Sequence, residues 1–294
     1  LSLTLYSPSG AVPRQLELRR ATRRLQQQGF DVTLDEAALA RHQRFAGDDD
    51  TRLQAIYRVA HQCPDVALAT RGGYGISRLL DRLDWPLLAR SVEQGTHWVG
   101  HSDISALQLG LLAHTGASSW AGPLALSHWG GVQTDEVTVD AFGEAMRGEL
   151  EGIGFRTDAG HDGLACRGVL WGGNLTLLCG LIGTPHLPRI QGGILFLEDV
   201  NEHPYRVERQ LLQLIQAGIL ERQKAVLLGG FTGWVKAPND RGYGLKAALE
   251  AVRARVKTPI LTGLPYGHVP MLVCLPMGRR VQLLVEGRDA YVGW

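Results

Sequence analysis

The sequence predicts an α/β protein whose N-terminal part is built on a parallel sheet. Three observations point there. Short apolar runs alternate with helix-length amphipathic segments from Leu1 to His114, the pattern of successive βαβ units. The 37 glycines exceed the roughly 21 expected at average usage, and they cluster at the ends of apolar runs, where tight turns and close backbone approach are needed. The 294 residues, 45% of them hydrophobic, can bury a sizeable core and suit either one large α/β domain or two domains.

Taken in order, Leu1–Ser7 reads as a strand ending at Pro8-Ser9-Gly10, too short and too quickly broken for a signal peptide. Arg14–Gln28 has helical periodicity and stops at Gly29, a good residue just past a helix end. Phe30–Leu34 is the next strand, and Asp49–His61 a second helix with acidic charge at its N-terminus. Val66–Thr70 is a short buried strand leading into Arg71-Gly72-Gly73-Tyr74-Gly75, after which Ile76–Leu83 resumes helix. Trp98–Gly100 is a brief strand reaching Ser102, and Ile104–His114 is helical. The pattern weakens after Gly122-Pro123. Residues 127–165, with one helix at Val139–Arg147, read as an interdomain connection between a domain at 1–126 and another at 166–294. Strands return at Gly168–Trp171, Gly193–Leu197, Ala225–Gly230, Ile260–Leu264 and Arg280–Val285, with helices at Tyr205–Ala217 and Leu245–Val256.

Composition excludes several functions. Thirty basic and 29 acidic residues leave a net charge of +1, with neither the basic stripe expected for nucleic acid nor a polybasic membrane patch. No apolar run approaches the ~20 residues of a membrane-spanning helix. Cys63, Cys166, Cys179 and Cys274 are far apart with no C-x-x-C pair, which argues against a thiolate zinc site and for buried free thiols in a reducing cytosol. No metal or cofactor is expected.

Gly100-His101-Ser102-Asp103 is the first chemical candidate. A serine at a sharp strand-to-helix turn exposes its Oγ at the C-terminal edge of a parallel sheet, beside free backbone N–H groups. The sequence is not G-x-S-x-G, since Ile104 replaces the second glycine, and Ser102 equally fits a helix cap. Gly72-Gly73-Tyr74-Gly75 offers N–H groups to an anion or oxyanion. It lacks the Lys and Ser/Thr of a phosphate-binding loop and is not G-x-G-x-x-G, which leaves nucleotide binding a weak alternative. Among ten histidines, His268 lies in a stiff loop between Gly267 and Pro270 directly after an apolar strand, suiting a positioned base as well as a surface loop. Glu198 follows an apolar strand, with Asp199 and Glu202 competing to orient that base, and Asp199 or Asn201 equally able to cap a helix.

In chain order, Arg44-Phe45-Ala46-Gly47, Arg71-Gly72-Gly73-Tyr74-Gly75, Gly100-His101-Ser102-Asp103, Trp171-Gly172-Gly173-Asn174, Leu197-Glu198-Asp199-Val200-Asn201-Glu202 and Gly263-Leu264-Pro265-Tyr266-Gly267-His268 resemble the LD-carboxypeptidases, the serine peptidase family that also contains the microcin C self-immunity proteins. The resemblance spans nearly the whole chain. It implies an N-terminal parallel-sheet α/β domain carrying the nucleophile Ser102, a C-terminal β-rich α+β domain carrying Glu198 and His268, and an active site between them. It implies a homodimer in the cytoplasm that removes D-alanine from murein tetrapeptide stems during peptidoglycan recycling. The oxyanion is then expected on the N–H groups of Gly73 and Asp103.

A zwitterionic, carboxylate-rich substrate calls for cations and amide donors. Arg71, Asn174 and Arg206 are the candidates, with Trp171 as a wall. Either arginine also fits an ordinary ion pair, and Trp171 also fits a core. Within the hydrolases the competing reading is a microcin C-type amide hydrolase; outside them, a non-catalytic module that binds small anions.

Overall fold

The structure, a computed structural model, describes residues 1–294. The chain opens with β1 (Ser2–Tyr6), α1 (Gln15–Gln27), β2 (Asp31–Leu34), α2 (Asp49–Gln62) and β3 (Val66–Ala69). It continues through α3 (Trp85–Glu93), β4 (His97–Gly100), α4 (Ile104–Thr115), β5 (Ser119–Ala121), α5 (Ala125–Trp129) and α6 (Glu136–Arg147). Next come β6 (Gly152–Arg156), β7 (Ala165–Asn174), α7 (Leu175–Gly180), β8 (Ile194–Val200) and α8 (Pro204–Gln216). The last are β9 (Ala225–Thr232), α9 (Leu245–Arg253), β10 (Ile260–Leu261), β11 (Leu275–Met277), β12 (Arg280–Glu286) and β13 (Asp289–Gly293).

The fold has two compact units. Leu1–Leu150, Gly183–Pro188 and Pro270–Gly278 make the first; Glu151–Ile182, Arg189–Val269 and Arg279–Trp294 make the second.

The first unit holds a six-stranded sheet in the order β11-β5-β4-β3-β1-β2. Strands β1 to β5 are parallel, and β11 pairs antiparallel with β5 at one edge. Sequence and space run in opposite senses on either side of β1 and β3, which makes that boundary the topological switch point where open α/β sheets bind ligands. The segments leaving the C-terminal ends of β1, β3 and β4 are Ser7–Gly10, Thr70–Gly75 and His101–Asp103. Val66–Ala69 is fully buried, as a central parallel strand must be, which is why it reads as an unbroken apolar run. Helix α4 is buried at every position from Ile104 to Leu112, so it is enclosed on all sides and holds the turn before it rigidly.

The second unit holds a seven-stranded mixed sheet in the order β10-β9-β8-β7-β12-β13-β6. Strands β7 to β10 are parallel, and β7, β12, β13 and β6 run antiparallel. Strand β7 pairs with both halves. At ten residues it is longer than the Gly168–Trp171 strand expected, since each end has its own partner.

The expected connection at 127–165 is filled by structure. Phe142 of α6 packs on Trp129 and Phe30 at ring-centroid distances of 4.9 and 5.4 Å, within the first unit. Strand β6 pairs with β13 in the second, so the division falls at 150/151. The helix expected at Ile76–Leu83 is two short 3₁₀ turns, and α3 follows it. Asp84 caps α3 by accepting from Leu87 N, and Pro86 stands in its first turn, a local signal that the sequence does carry. Of the four free cysteines only Cys274 is buried; the other three are half-buried, and Cys63 ends α2 in a left-handed conformation.

Candidate active site

The serine turn belongs to the first unit. Strand β4 ends at Gly100, where an added Cβ would meet three atoms of Ile104 at 3.0–3.1 Å. The chain therefore turns tightly enough to need that glycine, and Ile104 packs into the space it leaves. His101 is buried, with Nδ1 2.9 Å from Gly122 O, tying the turn to the end of β5. Ser102 has φ +61°, the left-handed conformation that a serine adopts at a cost of about 1–2 kcal/mol. Strain of this kind persists where the surroundings impose it, often at functional sites. The residue preceding α4 is Asp103, and no side chain caps that helix, so Ser102 is not the cap its sequence position also allowed.

Gly72 lies against the serine: a Cβ there would sit 2.7 Å from Ser102 Oγ and 3.4 Å from Asp103 N. Gly72 O accepts from Gly10 N at 3.2 Å, joining the turns after β1 and β3. Gly73 has φ +118°, open to glycine alone in practice. The N–H groups of Gly73 and Asp103 enter none of the fold's turn or loop hydrogen bonds. The Asp103 carboxylate clamps the same turns: Oδ2 accepts from Ser9 Oγ at 2.5 Å and from Ile76 N at 2.9 Å. Burial pushes its pKa up, against those two hydrogen bonds and the charges of Arg52 and Arg44. Sequence reasoning used only the backbone of Asp103 and gave Ser9 no role; each contact spans more than 25 residues and leaves no local signal.

The acid–base pair belongs to the second unit. His268 Nδ1 lies 2.8 Å from Glu198 Oε2, and Glu198 is fully buried. Glu198 sits at a register shift in β8 between Leu197 and Asp199, inside the strand rather than after it. A bulge puts consecutive side chains to separate uses. Asp199 turns to α7, where Oδ2 accepts from Thr176 N and Oγ1 at 2.9 and 2.8 Å, which leaves Glu198 to the histidine. The His268 loop is pinned by Gly230 N donating to Tyr266 O and by Thr232 Oγ1 donating to His268 O. Gly267, at φ +115°, lies so close to Glu198 that a Cβ would be 2.8 Å from its Cβ. Burial is the largest single influence on His268 and lowers its pKa. The Glu198 hydrogen bond and the charges of Glu198 and Asp199 outweigh it and hold the pKa above 6.5.

The four expected substrate contacts separate. Arg71 lines a recess of about 250 Å³ together with Gly73. Trp171 is 1% exposed with Nε1 donating to Gln223 Oε1, so it is core and not a wall. Asn174 pairs across strands with Glu198. Its Nδ2 donates to Glu198 Oε1 and Asp199 Oδ1, and its Oδ1 caps α7, so it holds the acid in place. Arg206 is half-exposed over Tyr205 and 3.9 Å from Glu202, an ordinary surface arrangement. No group of three His, Cys, Asp or Glu side chains is placed to hold a metal ion.

Residues 3–122 match the LD-carboxypeptidase N-terminal domain family and residues 167–283 the LD-carboxypeptidase C-terminal domain family. The crystal structure of muramoyltetrapeptide carboxypeptidase from Oxalobacter formigenes superposes with a TM-score of 0.91 at 38% identity, covering 99% of this chain and 98% of that one. The murein tetrapeptide carboxypeptidase of Pseudomonas aeruginosa is 31% identical over 293 residues, 96% of this chain and 92% of its own. MccF in complex with glutamyl sulfamoyl guanosine has a TM-score of 0.87, covering 100% of this chain and 96% of that one. At 21% identity that likeness is one of fold.

Proposed function

We propose, from the premise that this chain belongs to the LD-carboxypeptidase family, that it releases the terminal D-alanine of murein tetrapeptides through an acyl-enzyme on Ser102. Its relatives make it a serine-type carboxypeptidase. The observation that carries the finer reading is the fully buried Glu198 hydrogen-bonded to His268 at 2.8 Å. A carboxylate in that position fixes the imidazole tautomer, with the proton on Nδ1 and the lone pair on Nε2, and stabilises the imidazolium when it forms.

In this reading His268 Nε2 takes the Ser102 proton as Oγ attacks the carbonyl carbon of the L-centre. The N–H groups of Gly73 and Asp103 hold the oxyanion, and losing one such donor costs about 10²–10³ in turnover. The C–N bond to D-alanine breaks as His268 returns the proton to the departing amine. Water, deprotonated by the same histidine, then releases the shortened peptide and restores Ser102. The proposal keeps the setting expected from sequence: a cytoplasmic homodimer acting in peptidoglycan recycling.

The test is D-alanine release from purified tetrapeptide. The wild type should release it, and Ser102→Ala should lose at least about 10³-fold. No release by the wild type overturns the substrate, and activity surviving in Ser102→Ala overturns the nucleophile.

A further inference from the structure

We infer that the recess beside the Gly72-Gly73 turn is the subsite for the free α-carboxylate of the leaving residue, and that it is what makes the enzyme an exopeptidase. The inference rests on the serine carboxypeptidase reading above and adds the group by which the scissile bond is chosen.

The recess, about 250 Å³, lies wholly in the first unit. Arg41, Arg44 and Arg71 line it with Gly10, Gly73 and Tyr74, and no Asp or Glu does. The neighbouring arginines of α2 and of the turns before α3 are neutralised: Arg52 and Arg78 pair with Asp49, Arg58 with Asp35 and Glu36, and Arg82 with Asp50. Arg41, Arg44 and Arg71 belong to none of the chain's ion pairs. Three like charges gathered with no carboxylate among the lining residues repel one another and favour an anion between them.

Two of the arginines are held by their guanidiniums and the third by its backbone. Arg71 Nη1 donates to Ala11 O at 3.2 Å, and its guanidinium lies over Gly10, where a Cβ would be 3.2 Å from Nε. Arg41 Nη2 donates to Val12 O at 2.8 Å. Arg44 stands in a turn closed by reciprocal His42–Phe45 backbone bonds and tied to the turn after β1 by Ala11 N donating to Arg44 O. Gln43 in that turn has φ +54°. A guanidinium fork fixed by its own backbone contacts is prepared for a planar carboxylate with little ordering left to do.

Position then selects which carboxylate. A Cβ on Gly72 would be 2.7 Å from Ser102 Oγ, and its neighbour Gly73 lines the recess, with Arg71 Nη2 3.9 Å from where the Gly73 Cβ would be. Consecutive Cα atoms are about 3.8 Å apart, and the scissile carbonyl carbon of a peptide is about 3–3.7 Å from the next carbonyl carbon along the chain. Because the glycine beside the serine and the glycine lining the recess are consecutive, the recess is offset from the serine by about one residue along the chain, as the terminal carboxylate is from the bond cut. A longer chain would place a neutral amide where the carboxylate belongs, and would be rejected for leaving those cations unpaired.

The experiment compares the tetrapeptide with its C-terminal carboxamide, in the wild type and in Arg44→Gln, Arg71→Lys and Arg71→Gln. The wild type should prefer the free acid by about a hundredfold in kcat/KM. Arg44→Gln and Arg71→Gln should lower kcat/KM for the acid about ten- to a hundredfold while barely changing the amide, so the ratio collapses. Arg71→Lys, which keeps the charge and loses the fork, should fall between. Equal cleavage of acid and amide by the wild type, or an unchanged ratio in the folded variants, overturns the subsite. Calorimetric binding of N-acetyl-D-alanine and its amide to Ser102→Ala needs no turnover. Preference for the acid that Arg71→Gln removes supports the subsite even if D-alanine release fails. Equal binding, or displacement by inorganic phosphate but not by N-acetyl-D-alanine, overturns it.

Discussion

Replacing Gly72 by alanine tests how closely the glycine turn is fitted to the nucleophile. Gly72 is not in the left-handed region, so alanine adds no backbone strain there. Its whole effect is the methyl group, which would lie 2.7 Å from Ser102 Oγ and 2.8 Å from Ser102 Cβ. Both contacts fall roughly 0.7 Å short of ordinary van der Waals separation. The Ser102 backbone is held at φ +61°, with its carbonyl accepting from Ser105 N at 2.9 Å, so the hydroxyl and the 71–73 turn must yield. Overpacking of this size costs about 1–3 kcal/mol, or a few degrees in Tm at about 2–4 °C per kcal/mol. Displacing a nucleophile by close to 1 Å costs about 10² in rate. The expected result is a folded enzyme with kcat for D-alanine release down about 10²-fold and a much smaller change in KM. A folded variant within about threefold of wild-type kcat would refute the placement of Gly72 against the serine.

Two further outcomes follow from the second unit. Glu198→Gln removes the charge and hydrogen bond that raise the His268 pKa and leaves the burial that lowers it. The free-enzyme base is neutral, and active, only above its pKa, so the acidic limb of kcat/KM should move to lower pH in the variant while the plateau falls about 10³–10⁴-fold. A limb that stays in place would mean that the titrating group is not His268. Trp171→Phe leaves the buried Gln223 Oε1 without the indole donor and should cost about 1–3 kcal/mol in urea unfolding, with kcat/KM unchanged. Lost kcat/KM at unchanged stability would put Trp171 at the substrate after all.

The parallel sheet and the serine turn were legible in the amino-acid order. A strand buried on both faces is an unbroken apolar run, and a strand-to-helix turn at Gly100–Ser102 is decided by contacts between Gly100 and Ile104, four residues apart. The motifs, taken in order, also carried the family. Local order did not reach β11, which pairs with β5 across more than 150 residues, or the register shift in β8 that divides Glu198 from Asp199. Nor did it separate Asn174, bound to two carboxylates, from Arg71, whose cation has none. Backbone sterics and apolar periodicity act within a few residues, so the sequence by itself could determine the turn that holds Ser102. Whether a carboxylate is buried against a histidine, and whether an arginine meets an acid or a recess lined by no carboxylate, depends on groups brought from distant parts of the chain, and only the tertiary structure decided that.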